Sequence, residues 1–213
     1  MLEIPIVSLD ELNTKDRITI DLIKDGEQYL NQFNVNQEIL LEAVSLVYKY
    51  LRVVKKIPHD LYKFFVASYY IIERHPYCFP VHESKKDFCK RFGIQESSLN
   101  YSVEKIVKSL QYVKIQDDLN FPYFIDPKSD ICFNLIKNIV NKKVKKAMMR
   151  FLLYDKPINA QILTEELVED IIYNHEIFPE ELFRQLYWMV FDLVDDQLEE
   201  YNEYVALQKR FFL

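Results

Sequence analysis

The sequence predicts an all-α protein. Apolar residues recur at helical spacing along most of the chain, and the alternation of apolar and polar residues that is typical of strands is scarce. Only two of the 213 residues are glycine, and the apolar fraction of 49% is that of a globular protein. A chain of this length can bury a sizeable core, as one large domain or as two small ones.

Five helices are predicted between residues 19 and 112, after an N-terminal arm formed by residues 1–18. The first helix ends at Asn34, and the second ends before Pro58 because proline stops a helix. The third lies in the segment HDLYKFFVASYYIIERH, which is so apolar that we expect a central helix buried on most sides.

The fourth and fifth helices are predicted to form a helix-turn-helix over residues 84–112. Ser84 can cap a helix from Lys85 to Phe92, and Gly93 can supply the positive φ of a tight turn. The helix after the turn has an apolar face formed by Leu99, Val103, Ile106 and Leu110. Such a motif is either a DNA-reading element or a structural corner of a helical core.

The rest of the chain is predicted to be a linker and a C-terminal helical region. Residues 116–127 contain two prolines and clustered aspartates, which favour a linker after a first unit at 19–115. Residues 128–213 contain three further amphipathic segments, which we expect to be helices.

Charge is segregated along the chain, although the net charge is -6. Residues 36–156 contain 21 Lys and Arg against 13 Asp and Glu, whereas residues 157–213 contain 3 against 13. A basic centre of this kind can contact phosphates, or it can be a solvated face that pairs with the acidic ends of the chain. The candidate DNA-binding residues are Lys85, Lys86, Lys90, Arg91, Ser97, Ser98, Asn100, Tyr101, Lys105, Lys108, Lys142, Lys143, Lys145 and Lys146.

Two groups of these candidates have distinct predicted roles. The lysines and Arg91 are expected to contact phosphates, while Asn100 lies off the apolar face of its helix and could read adenine. Glu96, near the tip of the same helix, would repel phosphate and argues against tight binding.

Metal binding and catalysis are not predicted. Four potential ligands lie close together in sequence, but their spacing is irregular and Cys89 falls on an inward face; they are His75, Cys78, His82 and Cys89. Two isolated glycines cannot form a phosphate-binding loop, and no catalytic signature is present. We therefore expect no enzyme, no metal and no cofactor.

The sequence has no apolar run long enough to cross a bilayer, and its N-terminal residues do not resemble a secretory signal. Three cysteines at irregular spacing fit a reducing compartment. We expect an intracellular protein without membrane partners.

The five-helix unit resembles the cyclin-like repeat of the general transcription factor B family, which includes archaeal transcription factor B and eukaryotic transcription factor IIB. The segment VASYYIIER is similar to the central helix of that repeat, and KKDFCKRFGIQESSLNYSVEKIVKSL follows the spacing of its helix-turn-helix. Upstream, YLNQFNVNQEILLEAVSLVYKYLRVVKKIPHD resembles its first two helices. Downstream, FIDPKSDICFNLIKNIVNKKVKKAMMRFLL resembles the opening of a second repeat, which makes the C-terminal region a degenerate or partial repeat.

The resemblance does not extend to the zinc ribbon of the family, because the chain has no CxxC pair. It implies a transcription regulator that binds duplex DNA and proteins of the transcription machinery. The alternative is a cyclin-like protein-interaction module without DNA binding.

The acidic C-terminal third is predicted to cover the basic surface. In this hypothesis, an apolar face of Leu182, Leu186, Met189 and Val190 packs back on the repeat. Four acids would then approach the basic segment from Lys142 to Arg150, namely Glu165, Glu166, Glu169 and Asp170.

Overall fold

The part of the chain that the structure describes contains eight α-helices and one β-hairpin, together with short 3-10 and π-helical turns. The structure is a computed structural model, and it describes residues 14–80, 83–117, 119–175 and 177–211. The predicted all-α fold class is confirmed. The chain divides into two compact units, the first ending at Tyr112 and the second beginning at Val113.

The first unit contains five α-helices, the number that the sequence predicts between residues 19 and 112. They are α1 (Thr14–Leu30), α2 (Gln37–Val53), α3 (Leu61–Ile72), α4 (Lys85–Arg91) and α5 (Glu96–Leu110). Helix α1 begins inside the segment that the sequence predicts to be an arm, of which residues 1–13 lie outside the described residues.

Helix α3 is the centre of the first unit, as its apolar sequence predicts. It packs against α1, α2 and α5, and nine of its twelve residues are buried. Gly26 of α1 is required for this packing, because a Cβ atom there would lie 2.0 Å from the ring of Phe65 in α3. The two helices can approach each other this closely only at a residue without a side chain.

The second unit contains a hairpin and three α-helices. Its elements are β1 (Val113–Gln116), β2 (Pro122–Ile125), α6 (Ile131–Tyr154), α7 (Ala160–Glu169) and α8 (Phe183–Phe211). A π-helical turn at Asp170–Asn174 extends α7, and a 3-10 turn at Glu180–Leu182 precedes α8.

The segment predicted as a linker, residues 116–127, contains most of an antiparallel hairpin instead. Its two strands pair from Val113 opposite Ile125 to Gln116 opposite Pro122. The carboxylate of Asp117 organises the turn, because it accepts hydrogen bonds from Leu119 N (2.9 Å) and Phe121 N (2.8 Å). Aspartate and proline therefore serve here as turn and strand-end residues.

The apolar face of α8 is used within the second unit. Its predicted members Leu186, Met189 and Val190 are buried, and so is Leu182 in the 3-10 turn before the helix. Helix α8 packs against α6, α7 and β1. Its apolar face, which the sequence hypothesis packs against the repeat, therefore lies in the core of the second unit. Within the described ranges, no helix is both long and apolar enough to cross a bilayer.

Candidate nucleic-acid interface

The turn between α4 and α5 explains why the chain has a glycine at position 93. Gly93 has a φ of +62°, and a Cβ atom there would meet no heavy atom within 4 Å. Ile94 N donates to Cys89 O (3.0 Å) and Gly93 N donates to Lys90 O (3.4 Å), which is the hydrogen-bond pattern of a Schellman motif. Glycine is therefore needed for its backbone conformation and not for space.

Helix α4 begins at the predicted cap. Ser84 Oγ accepts a hydrogen bond from Asp87 N (3.1 Å) and donates one to the Asp87 carboxylate (2.6 Å). The helix ends at Arg91, with Phe92 as its C-cap residue. Cys89 lies on the buried side, as predicted, and its burial raises the pKa of its thiol.

Helix α5 is held on the first unit by one face, which leaves the opposite face in solvent. Leu99, Ser102, Val103 and Ile106 are buried, and α5 packs on α2 and α3. The exposed residues Ser97, Tyr101, Lys105 and Lys108 recur at steps of four, four and three, which places them on one stripe of the helix. Asn100 is exposed beside this stripe.

A cavity of about 540 Å³ lies between the N-terminal half of α5 and the segment that joins α2 to α3. From α5 it is lined by Ser97, Ser98, Tyr101, Ser102 and Lys105. From the other side it is lined by Lys56, Ile57, Pro58, His59, Asp60 and Lys63, with Tyr50 and Phe64 completing the wall.

A second cavity, of about 480 Å³, adjoins the first. It is lined by Gly93, Ile94 and Gln95 of the turn, and it shares Asp60, Lys63 and Ser98 with the first cavity. The two cavities therefore form one cleft along the turn and the first half of α5. Three lysines line this cleft against one acid, Asp60, whose carboxylate lies 2.9 Å from Lys63 Nζ.

Two lysines of the cleft, Lys56 and Lys63, are absent from the residues that the sequence identified. The sequence contained a signal for Lys56, because Lys55 and Lys56 lie just before Ile57-Pro58, where the proline stops the helix. Lys63 gives no such signal, since it lies in the otherwise apolar start of α3. Its position at the cleft depends on how α3 packs against α5.

The guanidinium of Arg91 forms ion pairs within the first unit. Its Nη2 lies 2.7 Å from Glu83 Oε2 and 3.1 Å from Glu73 Oε2, and its guanidinium lies 4.8 Å from the centre of the Phe92 ring. The exposed fraction of its side chain is 29%. Among the basic residues of α4, Lys86 and Lys90 are exposed and Lys85 is half-buried.

Arg74, the closing residue of the central-helix motif, is fully buried beside Arg91. Its guanidinium lies 3.6 Å from the centre of the Tyr70 ring, and its Nη2 donates to the backbone carbonyl of Glu83 (3.0 Å). Burial lowers the pKa of this guanidinium. Arg74 therefore ties the end of α3 to the segment before α4.

The basic cluster of α6 lies in the second unit. Lys142, Lys145 and Lys146 are exposed, while Lys143 Nζ lies 3.4 Å from Glu166 Oε2 of α7. One of the four acids expected near this segment therefore makes contact with it. Asp170, another of the four, accepts a hydrogen bond from Asn174 Nδ2 (2.6 Å).

The Cys and His residues that were considered as zinc ligands are not assembled into a metal site within the described ranges. There, no group of three or more His, Cys, Asp or Glu side chains could hold a metal ion. His75 accepts a hydrogen bond from Tyr77 N through Nδ1 (3.3 Å), and Cys78 is exposed. His82 lies outside the described residues.

No protein-family model matches the chain, and no curated protein is similar to it at a significant level. The resemblance to the transcription factor B family therefore stays a prediction from the sequence.

Proposed function

We propose that the protein is a non-enzymatic, DNA-associated transcription regulator that contacts duplex DNA through α4 and α5. One observation carries the proposal: the exposed stripe of α5 borders a cleft lined by Lys56, Lys63 and Lys105. Polar groups that could reach base edges thus lie beside cations that could neutralise phosphates. This combination is typical of a helix that enters the major groove.

The roles of individual residues follow from their chemistry. Asn100 and Ser97 lie in the first half of α5, where side chains of a recognition helix contact base edges, and an Asn amide can pair with adenine at two atoms. Lys86 and Lys90 of α4 are exposed and would contact phosphates. Gln95 forms no side-chain cap at α5, so the first N–H groups of that helix also favour a phosphate.

A titration of the full chain with duplex DNA at two salt concentrations tests the proposal. About four phosphate contacts predict that affinity falls about 100-fold between about 50 and about 200 mM monovalent salt. Absence of binding at the lower salt concentration by folded protein would contradict the proposal.

Paired substitutions separate the two kinds of contact. Lys86→Glu with Lys90→Glu should weaken binding to every DNA sequence, whereas Asn100→Ala should relax base preference with a smaller loss of affinity. The matched control is Lys24→Glu with Lys128→Glu, which changes the net charge equally at exposed lysines outside α4 and α5. If the control variant weakens DNA binding as much as Lys86→Glu with Lys90→Glu does, the loss of affinity arises from net charge alone.

The alternative function, a cyclin-like protein-interaction module without DNA binding, is favoured by two acids. Glu96 and Glu104 are exposed on α5, where both would approach phosphates. The substitution of both by Gln distinguishes the two functions. A DNA-binding helix should bind more tightly after the change, because two repulsive charges are removed, whereas a module without DNA binding should gain no affinity.

A further inference from the structure

The solvent face of α6 combines positive charge with exposed apolar side chains. Lys142, Lys145 and Lys146 occupy one part of this face, and Met149 and Leu153 follow one and two turns later. Met149 is 57% exposed and Leu153 is 65% exposed. These five residues form the basic α6 surface. Within the described part of the chain, its three lysines make no ion pair.

The solvent face of α8 has the complementary character. Trp188, Asp192, Asp195 and Glu199 recur at steps of four, three and four, and all four are exposed. Trp188 is 65% exposed, which is unusual for so large an apolar side chain. These four residues form the acidic α8 surface. Its three carboxylates are likewise without ion pairs among the described residues.

The two surfaces match in length and in the order of their chemistry. Eleven residue steps separate Lys142 from Leu153 and also Trp188 from Glu199, a rise of about 16 Å in each helix. Antiparallel alignment brings Trp188 to Leu153 and Glu199 to Lys142. Between these ends, Asp195 lies opposite Lys146, and Asp192 lies opposite Met149, one turn from Lys145 and Lys146. Parallel alignment would instead set the tryptophan on a lysine and a carboxylate on leucine.

We propose that the basic α6 surface of one copy of the protein binds the acidic α8 surface of a second copy, with the two helices antiparallel. The surfaces of one chain cannot meet each other. Helices α6 and α8 pack together within the second unit through their buried faces, such as Val144 of α6 and Val190 of α8, which turns the two charged faces outward.

The resulting contact is heterologous, because each copy offers a different surface to each neighbour. Such a contact continues from copy to copy unless the rotation closes a ring, so the average mass increases with concentration. Within one chain, Lys143 of this segment already forms an ion pair with Glu166 of a neighbouring helix. The proposal is independent of DNA binding by α4 and α5, and it gives the α6 lysines a protein partner.

Sedimentation velocity of the full chain over a wide concentration range tests the proposal. We expect the average mass to increase at least about twofold towards high micromolar concentration, and to return to that of the monomer in high salt. Trp188 is the single tryptophan of the chain, so its fluorescence emission should shift to shorter wavelength over the same concentration range. A constant mass with constant emission would overturn the proposal.

Charge reversal gives the specific test. Variant one carries Lys142→Glu, Lys145→Glu and Lys146→Glu, and variant two carries Asp192→Lys, Asp195→Lys and Glu199→Lys. Each variant alone should stay monomeric, and an equimolar mixture should associate again because every contact then has opposite charges. Far-UV circular dichroism confirms that both are folded.

Two results would overturn the proposal even if the wild-type chain associates. One is a mixture of folded variants that remains monomeric. The other is that variant one associates as the wild type does but binds duplex DNA more weakly. The α6 lysines would then contact DNA and not a second copy of the protein.

Discussion

Arg91 Nη2 lies 2.7 Å from Glu83 Oε2, and the same nitrogen lies 3.1 Å from Glu73 Oε2. A cation that the sequence predicts to face DNA is thus held between two carboxylates of its own unit. Neighbouring Lys90 is exposed on the same helix. The proposed function therefore assigns different tasks to adjacent positions of α4, stability to Arg91 and DNA binding to Lys90.

Arg91→Ala and Lys90→Ala should separate these tasks. Arg91→Ala removes the ion-pair partner of Glu83 and leaves Glu73 only the longer contact with Arg74 Nη1 (3.8 Å), so we expect the free energy of unfolding to fall by about 1–2 kcal/mol. Lys90→Ala should change stability by less than about 0.5 kcal/mol but weaken DNA binding. Urea denaturation and a DNA titration of both variants measure the difference. If Arg91→Ala weakens DNA binding without lowering stability, Arg91 leaves its ion pairs to contact DNA.

Backbone conformation predicts opposite effects for two substitutions that involve glycine. Gly93→Ala introduces a side chain at a φ of +62° and should destabilise by about 1 kcal/mol, whereas Gln111→Gly should stabilise by about 0.5–1 kcal/mol. Gln111 ends α5 in the left-handed conformation with a φ of +61°. Thermal unfolding measures both changes, and a neutral Gly93→Ala variant would mean that the turn adopts another geometry.

Gly26→Ala should be more damaging than Gly93→Ala, because the new methyl group would overlap the ring of Phe65. Overpacking of this kind costs about 1–3 kcal/mol. A second variant, Gly26→Ala with Phe65→Leu, removes the ring and should be more stable than the sum of the two single effects. Additive losses in a double-mutant cycle would indicate that α1 shifts away from α3 instead.

The residues at helix termini were the part of the fold that the sequence predicted best. Ser84 and Gly93 each act locally, so their roles could be predicted from the types of residue beside them. Asp130 caps α6 by accepting a hydrogen bond from Phe133 N (2.7 Å), a role that was not predicted from the sequence.

Features that depend on distant residues could not be predicted in the same way. The hairpin was missed because its strands have four residues each and contain a proline, which is too short for alternation to be visible. The ion pairs of Arg91 join residues separated by 8 and 18 positions. No local pattern encodes them, since they arise only when the end of α3 meets α4.

Alkaline pH should destabilise the first unit through its buried tyrosines. Burial raises the pKa of Tyr70 above its ordinary value of 10.0, so the folded state keeps the phenol protonated where the unfolded state has lost the proton. The stability from this group is therefore complete below about pH 10 and is lost as pH rises further.

Tyr70→Phe keeps the ring on which Arg74 rests but removes the titrating group. The variant should lose less stability than the wild type between about pH 9 and about pH 11, as measured by urea denaturation. Tyr48→Phe, at an exposed position of α2, is the matched control and should follow the wild type. Because lysines titrate equally in all three proteins, a Tyr70→Phe curve that parallels the wild type would exclude this tyrosine as the cause.

The first unit alone should bind duplex DNA more tightly than the full chain. Residues 1–112 contain 15 Lys and Arg against 15 Asp and Glu, whereas residues 113–213 contain 12 against 18, so the second unit contributes all of the net negative charge. A tethered acidic unit lowers the affinity for a polyanion, and the effect should be largest at low salt. A truncation near Leu153 would be unsuitable, because it removes α7 and α8, against which α6 packs within the second unit. A chain that ends at Tyr112 keeps α1–α5 and the whole core around α3, and circular dichroism should confirm that it is helical. If this folded fragment binds DNA no more tightly than the full chain at low salt, the acidic unit has no autoinhibitory role.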